Sequence, residues 1–250
     1  MATNTIAVIL RQLAKMIDHS LLHPTMTDVD TLEGLKIARE SNVATAGIKP
    51  YLIPLAKREL AGSDVLVCPV SVAEATDAAK ASGDEIDIVV NVGKILSGNW
   101  EYVTRETRLI NEAVTSEGAI LKAISENDYL KPRHIVRLCQ VCTELGVAFV
   151  KKSTGYGFVK LVDGSYDYRG ATVKDLKLIR EIHGKDIQIK AAGGVRSLDD
   201  LLHVMTLGAT RIGATATVVI LQEAKSRGIG DEPIEVSFQH INEDGHNGGY

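Results

Sequence analysis

The sequence predicts an α/β fold, and more specifically a single (β/α)8 barrel, the TIM-barrel architecture. Short apolar runs rich in valine and isoleucine alternate with longer helical patterns, and eight such runs occur. Repeated strand–helix order indicates a parallel sheet, and eight repeats are the number that closes a barrel. The length of 250 residues is typical of one such barrel. The predicted strands are Ile17–Leu22, Thr45–Lys49, Asp64–Val70, Ile86–Asn91, Ile120–Ser125, Ala148–Lys152, Ile187–Ala191 and Arg211–Ala214.

Signals that begin and end helices occupy the gaps between these strands. Ser/Thr-x-x-Asp/Glu sequences predict capping boxes, in which a side-chain oxygen accepts from a backbone N–H of the first turn. Glycine or asparagine just past a helical pattern predicts a left-handed helix end. The capping sequences are Ser71-x-x-Glu74, Thr172-x-x-Asp175 and Ser197-x-x-Asp200, and the helix ends are Asn42, Gly62, Gly83, Gly118, Gly146, Gly184 and Gly208.

Two segments lie outside the repeating pattern. The long connection Gly155–Gly170 contains Asp163-Gly164 between two β-forming runs, which predicts a hairpin. Long loops at the carboxyl ends of barrel strands usually carry function. The polar, glycine-rich end of the chain is typical of a mobile terminus. We therefore expect one barrel domain over residues 1–228, with a short N-terminal helix, and a flexible tail over residues 229–250.

Composition and charge argue against several classes of function. The formal net charge is −4, with both signs spread along the chain, which argues against a nucleic-acid partner. The N-terminus has the pattern of neither a signal peptide nor a membrane span, so we expect a cytoplasmic protein with no membrane partner. Three cysteines do not suggest a disulfide scaffold. Cys139-x-x-Cys142 lies in a helical pattern, which predicts buried packing rather than a zinc or redox site.

Two lysines lie near the ends of neighbouring predicted strands, Lys151 in the sixth strand and Lys190 in the seventh. Barrel enzymes place catalytic groups at the carboxyl ends of strands. Two ammonium groups in one barrel mouth repel each other, and this repulsion and partial burial both lower a lysine pKa. A neutral amine attacks carbonyl carbons, which is the requirement of a Schiff-base enzyme. The alternative is that each lysine lies at the rim with its ammonium in water.

A carboxylate lies between apolar residues of the fourth strand, at Asp87. Burying a charge in such a strand is costly unless the charge is paired. Two interpretations follow: Asp87 forms a structural salt bridge, or it carries protons beside the two lysines.

Glycines follow the seventh and eighth strands, at Gly193-Gly194 and at Gly213. Backbone N–H groups exposed just before a helix bind anions, and phosphate sites after these two strands are frequent in this fold. We therefore expect Gly193, Gly194, Gly213 and Thr215 to bind a phosphate group. The alternative is that the glycines only form tight turns.

Four sequence blocks resemble the deoxyribose-phosphate aldolase family, and they occur in the order found in that family. The similarity runs from about Ile17 to about Leu221 and covers most of the chain. The blocks are Ile17-Asp-His-Ser-Leu-Leu-His-Pro24, Asp84-Glu-Ile-Asp-Ile-Val-Val-Asn-Val-Gly93, Phe149-Val-Lys-Lys-Ser-Thr-Gly155 and Lys190-Ala-Ala-Gly-Gly-Val-Arg196.

This resemblance implies reversible cleavage of 2-deoxy-D-ribose 5-phosphate to D-glyceraldehyde 3-phosphate and acetaldehyde. It implies that Lys151 forms the Schiff base, that Lys190 lowers the pKa of Lys151 and helps to move protons, and that Asp87 carries protons. Gly155 is expected to join the phosphate-binding residues, and Tyr250 corresponds to a tyrosine that assists proton transfer in some members. Neither a metal ion nor an organic cofactor is implied, and barrels of this type often form homodimers.

The chain departs from the family pattern in four places. Cys68-Pro-Val70 passes directly to Ser71, where the family carries a Gly-Phe-Pro-(Leu/His)-Gly loop. Lys152 replaces the usual threonine, and Tyr156 stands where many relatives have a basic residue near the phosphate. Ala46-Gly47 stands where relatives often have Val-Cys.

The absent loop keeps a second class of function open. In that alternative the chain is an inactive or weakened family member that binds a sugar phosphate or serves in assembly. A further enzymatic alternative is another Schiff-base aldolase of the transaldolase type.

Overall fold

A computed structural model of the chain describes residues 4–70, 75–81, 83–160, 162–167, 172–183 and 187–239. The strands in these ranges are β1 Asn4–Val8, β2 Ile17–Ser20, β3 Thr45–Ile48, β4 Leu66–Pro69, β5 Glu85–Val89, β6 Ile120–Ile124, β7 Phe149–Lys151, β8 Val159–Lys160, β9 Tyr166–Asp167, β10 Gln188–Ala192, β11 Arg211–Ala214 and β12 Ile234–Phe238. The α-helices are α1 Leu10–Ala14, α2 Asp28–Glu40, α3 Ile53–Glu59, α4 Ala75–Lys80, α5 Val92–Leu96, α6 Trp100–Ser116, α7 Pro132–Glu144, α8 Val173–His183, α9 Leu198–Thr206 and α10 Thr217–Ser226.

Eight parallel strands form the central sheet and follow one another around it in chain order. β2, β3 and β4 pair in sequence, β5, β6, β7, β10 and β11 pair in sequence, and β11 pairs with β2. Between β4 and β5 the sheet is joined by a parallel bridge from Val70 to Asp87. The predicted (β/α)8 barrel is therefore confirmed, and every predicted strand overlaps an observed strand.

Several of the predicted residues that begin or end helices are observed in those roles. Ser197 accepts from the backbone N–H of Asp200 in a capping box, and Thr172 accepts from that of Asp175 at 3.3 Å. Asn42 is left-handed, with φ of 48°. The remaining capping sequence, at residues 71–74, and the helix end predicted at position 184 lie outside the described residues.

Gly83 lies at a close approach between two elements. A Cβ at this position would lie 2.8 Å from Ile86 Cδ1 and 2.9 Å from the Ala78 carbonyl oxygen. Glycine fits here because α4 and β5 approach each other closely.

The two ends of the described chain pair with each other, which the sequence did not predict. β1 and β12 form an antiparallel ribbon in which Ile6 lies opposite Val236 and Val8 opposite Ile234. The short N-terminal helix exists, but it begins only at Leu10. Part of the predicted tail is thus a strand, in which the alternate residues Val236 and Phe238 are buried. The predicted position of Tyr250 lies outside the described residues.

Two smaller predictions also hold. β8 and β9 pair as an antiparallel hairpin around Gly164, whose φ is 88°, and Asp163 accepts from the backbone N–H of Ser165 at 2.9 Å. Cys139 and Cys142 are buried on α7 and are not disulfide-bonded. In the described ranges, no helix is long and apolar enough to cross a bilayer.

Candidate active site

A cluster of charged side chains lies inside the barrel, supplied by six of its eight strands. Four members are basic and three are acidic, and all except Arg211 are at least 95% shielded from solvent. Charges so deeply buried must pair with one another, because water cannot solvate them. The members are Asp18 on β2, Glu85 and Asp87 on β5, Lys122 on β6, Lys151 on β7, Lys190 on β10 and Arg211 on β11.

The three residues predicted to be catalytic meet at one oxygen atom. Asp87 Oδ2 lies 2.8 Å from Lys151 Nζ and 3.0 Å from Lys190 Nζ. The two lysines are direct neighbours because β7 and β10 pair in register at these positions. Lys190 also contacts Asp18 Oδ2 at 2.5 Å. The expected convergence of the two lysines is thus present, but only Lys151 ends its strand, whereas Lys190 is the middle residue of β10. The alternative of lysines extended into water is wrong for both residues.

The two lysines have opposite electrostatic environments. Burial lowers the pKa of Lys151, and the neighbouring Lys190 ammonium lowers it further, against the opposing attraction of Asp87. Burial alone would also lower the pKa of Lys190, but attraction to Asp18 and Asp87 raises it above its ordinary value. Lys151 is therefore the amine that loses its proton more readily, and Lys190 remains an ammonium beside it.

Asp87 is ionised despite complete burial. Burial alone would raise its pKa, but Lys151, Lys190 and Lys122 together hold it well below the ordinary range. Its second oxygen, Oδ1, accepts from the Cys68 thiol at 3.2 Å. Asp87 therefore forms salt bridges, as the structural interpretation of this residue expected. Its partners, Lys151 and Lys190, are the two lysines beside which the alternative interpretation placed it as a proton carrier.

A deeper layer of the cluster was not predicted from the sequence. The Lys122 ammonium lies 2.9 Å from Asp18 Oδ2 and also contacts Glu85. Arg211 binds Glu85 through both terminal nitrogens, at 3.0 and 3.2 Å, and Asp18 Oδ1 at 2.6 Å. Asp18, Cys68 and Glu85 have ligand atoms close enough to hold a metal ion, but the Lys122 ammonium already contacts all three. This layer fixes Asp18, which in turn holds Lys190.

A small pocket, with a volume of about 20 Å³, is lined by Lys151 and Lys190. Its polar lining includes Asp18, Ser20 and Thr154, and its apolar lining includes Leu22, Val70 and Ala192. The Lys151 amine therefore faces a pocket, which is where a small carbonyl compound would reach it.

The residues predicted to bind phosphate lie on three neighbouring strands or the loops that follow them: Gly155 after β7, Gly193 and Gly194 after β10, Gly213 within β11 and Thr215 directly after it. Of these five described residues, Gly213 lines the pocket. Gly193 and Gly194 are left-handed, with φ of 89° and 84°, and Thr215 is exposed. The N–H of Gly155 donates to Ser153 Oγ at 3.1 Å, so in this conformation it is not directed at the pocket.

Comparison with known proteins agrees with this geometry, although no family model matches the chain. The chain is 41% identical over 236 residues to deoxyribose-phosphate aldolase of Rhodopirellula baltica, covering 90% of this chain and 93% of the relative. It is 38% identical over 222 residues to the enzyme of the same name from Treponema denticola, covering 84% and 98%.

Solved structures show the same relationship. A structure described as QR15, an aldolase, superposes with a TM-score of 0.77 at 28% identity, covering 86% of this chain and 97% of that one. The tetrameric deoxyribose phosphate aldolase of Aeropyrum pernix superposes with a TM-score of 0.73 at 25% identity, covering 87% and 93%. The chain therefore belongs to the deoxyribose-phosphate aldolase family.

Proposed function

We propose that the chain reversibly cleaves 2-deoxy-D-ribose 5-phosphate to D-glyceraldehyde 3-phosphate and acetaldehyde, with Lys151 as the Schiff-base lysine. The observation that carries this proposal is the meeting of Lys151 and Lys190 on one buried oxygen of Asp87. This arrangement supplies an amine whose pKa is lowered, a nearby acid and a nearby base, which are the three groups that a Schiff-base aldolase needs.

The reaction begins when the Lys151 amine attacks the aldehyde carbon of the open-chain sugar. Loss of water gives a protonated imine, whose positive nitrogen withdraws electrons from the neighbouring carbon. The C3 hydroxyl then loses its proton, the C2–C3 bond breaks, and its electron pair forms an enamine on the lysine. Glyceraldehyde 3-phosphate leaves, the enamine carbon takes up a proton, and water releases acetaldehyde from the imine.

Asp87 and Lys190 serve as the proton carriers in this scheme. Asp87 is an ionised carboxylate 2.8 Å from Lys151 Nζ, which places a proton acceptor beside the reacting centre. Lys190 is an ammonium on the same oxygen, and it can return a proton directly or through water. Because neither group requires a metal ion, the chemistry is complete with side chains alone.

The opposite end of the substrate is assigned to the rim of the barrel. We place the phosphate group among Gly193, Gly194, Gly213 and Thr215, with Gly155 shaping the adjoining turn. Backbone N–H groups of such turns favour anions. Three expectations stay predictions: a proton relay through Tyr250, a homodimer and a cytoplasmic location.

A substrate comparison tests this proposal. The purified chain is incubated with deoxyribose 5-phosphate, with unphosphorylated deoxyribose and with a ketose phosphate of the kind used by transaldolases. Preferential release of acetaldehyde from deoxyribose 5-phosphate supports the proposal. Preference for the ketose phosphate supports the transaldolase-type alternative, and binding of sugar phosphate without cleavage supports an inactive barrel.

A further inference from the structure

A buried glutamate that takes no part in the proposed chemistry lies beside the Schiff-base strand. Glu126 follows β6, is 4% exposed and has a left-handed backbone with φ of 52°. Residues other than glycine seldom adopt this conformation, and where they do the surrounding contacts hold it. For Glu126 these contacts lie on the segment that follows Lys151.

The Glu126 carboxylate accepts hydrogen bonds from both side-chain and backbone groups of that segment. Its Oε1 atom accepts from Ser153 Oγ at 2.7 Å, and both of its oxygens lie 3.2 Å from the Thr154 nitrogen. Ser153 Oγ accepts in turn from the Gly155 N–H at 3.1 Å. Since Thr154 lines the pocket, one carboxylate sets the path of the chain along the pocket wall.

The residues on either side of Glu126 bind the preceding part of the same segment. The Ser125 N–H donates to the Lys151 carbonyl at 2.8 Å, and the Asn127 N–H donates to the Lys152 carbonyl at 3.0 Å. The end of β7 is thus held by backbone bonds that do not need the Glu126 side chain. The glutamate acts on the loop beyond the strand, residues 153–155.

The chain passes the carboxylate a second time at Gly157. A Cβ at Gly157 would lie 2.6 Å from Glu126 Oε1 and 2.8 Å from Glu126 Cδ, both shorter than side chains tolerate. The loop thus lies so close to the carboxylate that any side chain at this residue would have to displace Glu126. A methyl group at Gly157 therefore disturbs the same contact from the opposite side.

We infer that Glu126 is a positioning residue of the aldolase reaction, which sets the loop Ser153–Gly155 against the sugar phosphate beyond its reacting carbons. This inference rests on the proposed function, because it needs a substrate that extends from Lys151 to that loop. Acetaldehyde has two carbons and occupies only the lysine end of the pocket. Loss of the Glu126 contact should therefore impair sugar-phosphate cleavage and spare imine formation with acetaldehyde.

The test compares three variants at this contact with one matched control. Glu126→Gln removes the charge, Ser153→Ala removes one donor, and Gly157→Ala pushes the carboxylate aside. The control is Glu117→Gln, the same change at an exposed glutamate just past α6. Each protein is assayed for kcat/KM on deoxyribose 5-phosphate and for the rate of borohydride trapping with acetaldehyde.

Glu126→Gln should lower kcat/KM on the sugar phosphate about tenfold, the size expected for one lost hydrogen bond to a charged group. The other two contact variants should act in the same direction, the control should not, and trapping should stay at the wild-type rate throughout. Equal losses in both assays would make Glu126 a general structural residue and overturn the inference. An unchanged kcat/KM in a folded variant would also overturn it.

Ser153→Ala and Gly157→Ala keep the glutamate, so they decide the question if Glu126→Gln does not fold. If the wild-type chain traps acetaldehyde and cleaves the sugar phosphate, but the three variants leave kcat/KM unchanged, the inference alone is contradicted. A wild-type chain that neither traps acetaldehyde nor cleaves the sugar contradicts the proposed function, and the inference fails with it.

Discussion

Replacing Asp87 by asparagine tests the centre of the site with little change in shape. The carboxylate contacts Lys151 and Lys190 through Oδ2, at 2.8 and 3.0 Å, and Lys122 and Cys68 through Oδ1, at 3.5 and 3.2 Å. Asparagine keeps one acceptor oxygen and replaces the other with an NH2 group, which cannot accept from an ammonium. The variant therefore has four basic groups around only two carboxylates.

The two consequences of this change have different sizes. At 2.8 Å, opposite unit charges attract by about 6 kcal/mol at an effective dielectric constant of about 20. Much of that attraction offsets the cost of burying the charges, so the broken pair should reduce the free energy of unfolding by about 3–5 kcal/mol. Loss of a positioned proton carrier should lower the rate of cleavage about 10²- to 10⁴-fold. Activity should thus fall far more than the folded fraction.

Two assays separate proton transfer from imine formation in Asp87→Asn. Exchange of the acetaldehyde methyl hydrogens with deuterated solvent should become slow, because this exchange requires the enamine. Borohydride trapping on Lys151 should persist, and its acidic limb should move to lower pH, because the lost carboxylate raises the pKa of Lys151 in the wild type. Exchange at the wild-type rate, or a limb that moves to higher pH, would refute this reasoning.

Three further predictions concern charge and the absent loop. Lys190→Met should slow cleavage and move the acidic limb of its pH–rate profile to higher pH, because the Lys190 ammonium lowers the pKa of Lys151; an unmoved limb would exclude this role. Burial alone would raise the pKa of Asp18, but the cations around it hold the pKa well below 3.8. The stabilising effect of ionised Asp18 is therefore complete above about pH 4 and is lost as the pH falls further. The free energy of unfolding, measured in urea at pH 7, 4 and 3, should depend less on pH in Asp18→Asn than in the wild type. Equal pH dependence in both proteins would contradict this prediction. A Gly-Phe-Pro-His-Gly loop grafted between Val70 and Ser71 should raise cleavage by up to about 10²-fold, if its absence costs substrate orientation; a folded graft with unchanged activity would contradict the explanation.

The barrel could be predicted because its strands are specified locally. Apolar runs such as Arg211–Ala214 are bounded by turn residues, and the observed strand has the predicted bounds. The ribbon of Asn4–Val8 with Ile234–Phe238 could not be predicted in the same way. Its partners lie at opposite ends of the chain, and the apolar spacing near the N-terminus also fits a helix. Only the tertiary pairing decides between the two.

The candidate catalytic lysines could be singled out because they lie near the ends of neighbouring predicted parallel strands. The roles proposed for Lys151, Lys190 and Asp87 came from the family resemblance as well as from the strand order. The deeper layer depends on which side chains reach across the barrel interior, as Arg211 does to Glu85. One signal was present: Glu85 and Asp87 are two residues apart, so they point to the same face of the strand.

The two contacts that shape the pocket wall had no such signal. Glu126 follows a strand end, and its left-handed backbone is not evident from neighbouring residues. The engagement of the Gly155 N–H by Ser153 likewise depends on the folded path of the loop. Position on a strand can be read from periodicity, whereas the direction of a hydrogen bond in a loop cannot.

Identification of the trapped lysine tests the central claim most directly. The wild-type chain is reduced with borohydride in the presence of acetaldehyde, digested and examined by peptide mass analysis. We predict an N-ethyl group on Lys151, and no adduct in folded Lys151→Ala. Lys152 is an internal comparison, since it is equally buried but bound to Asp175 at 3.0 Å. An adduct on Lys152 or Lys190 in the wild type, or none at all, would contradict the account.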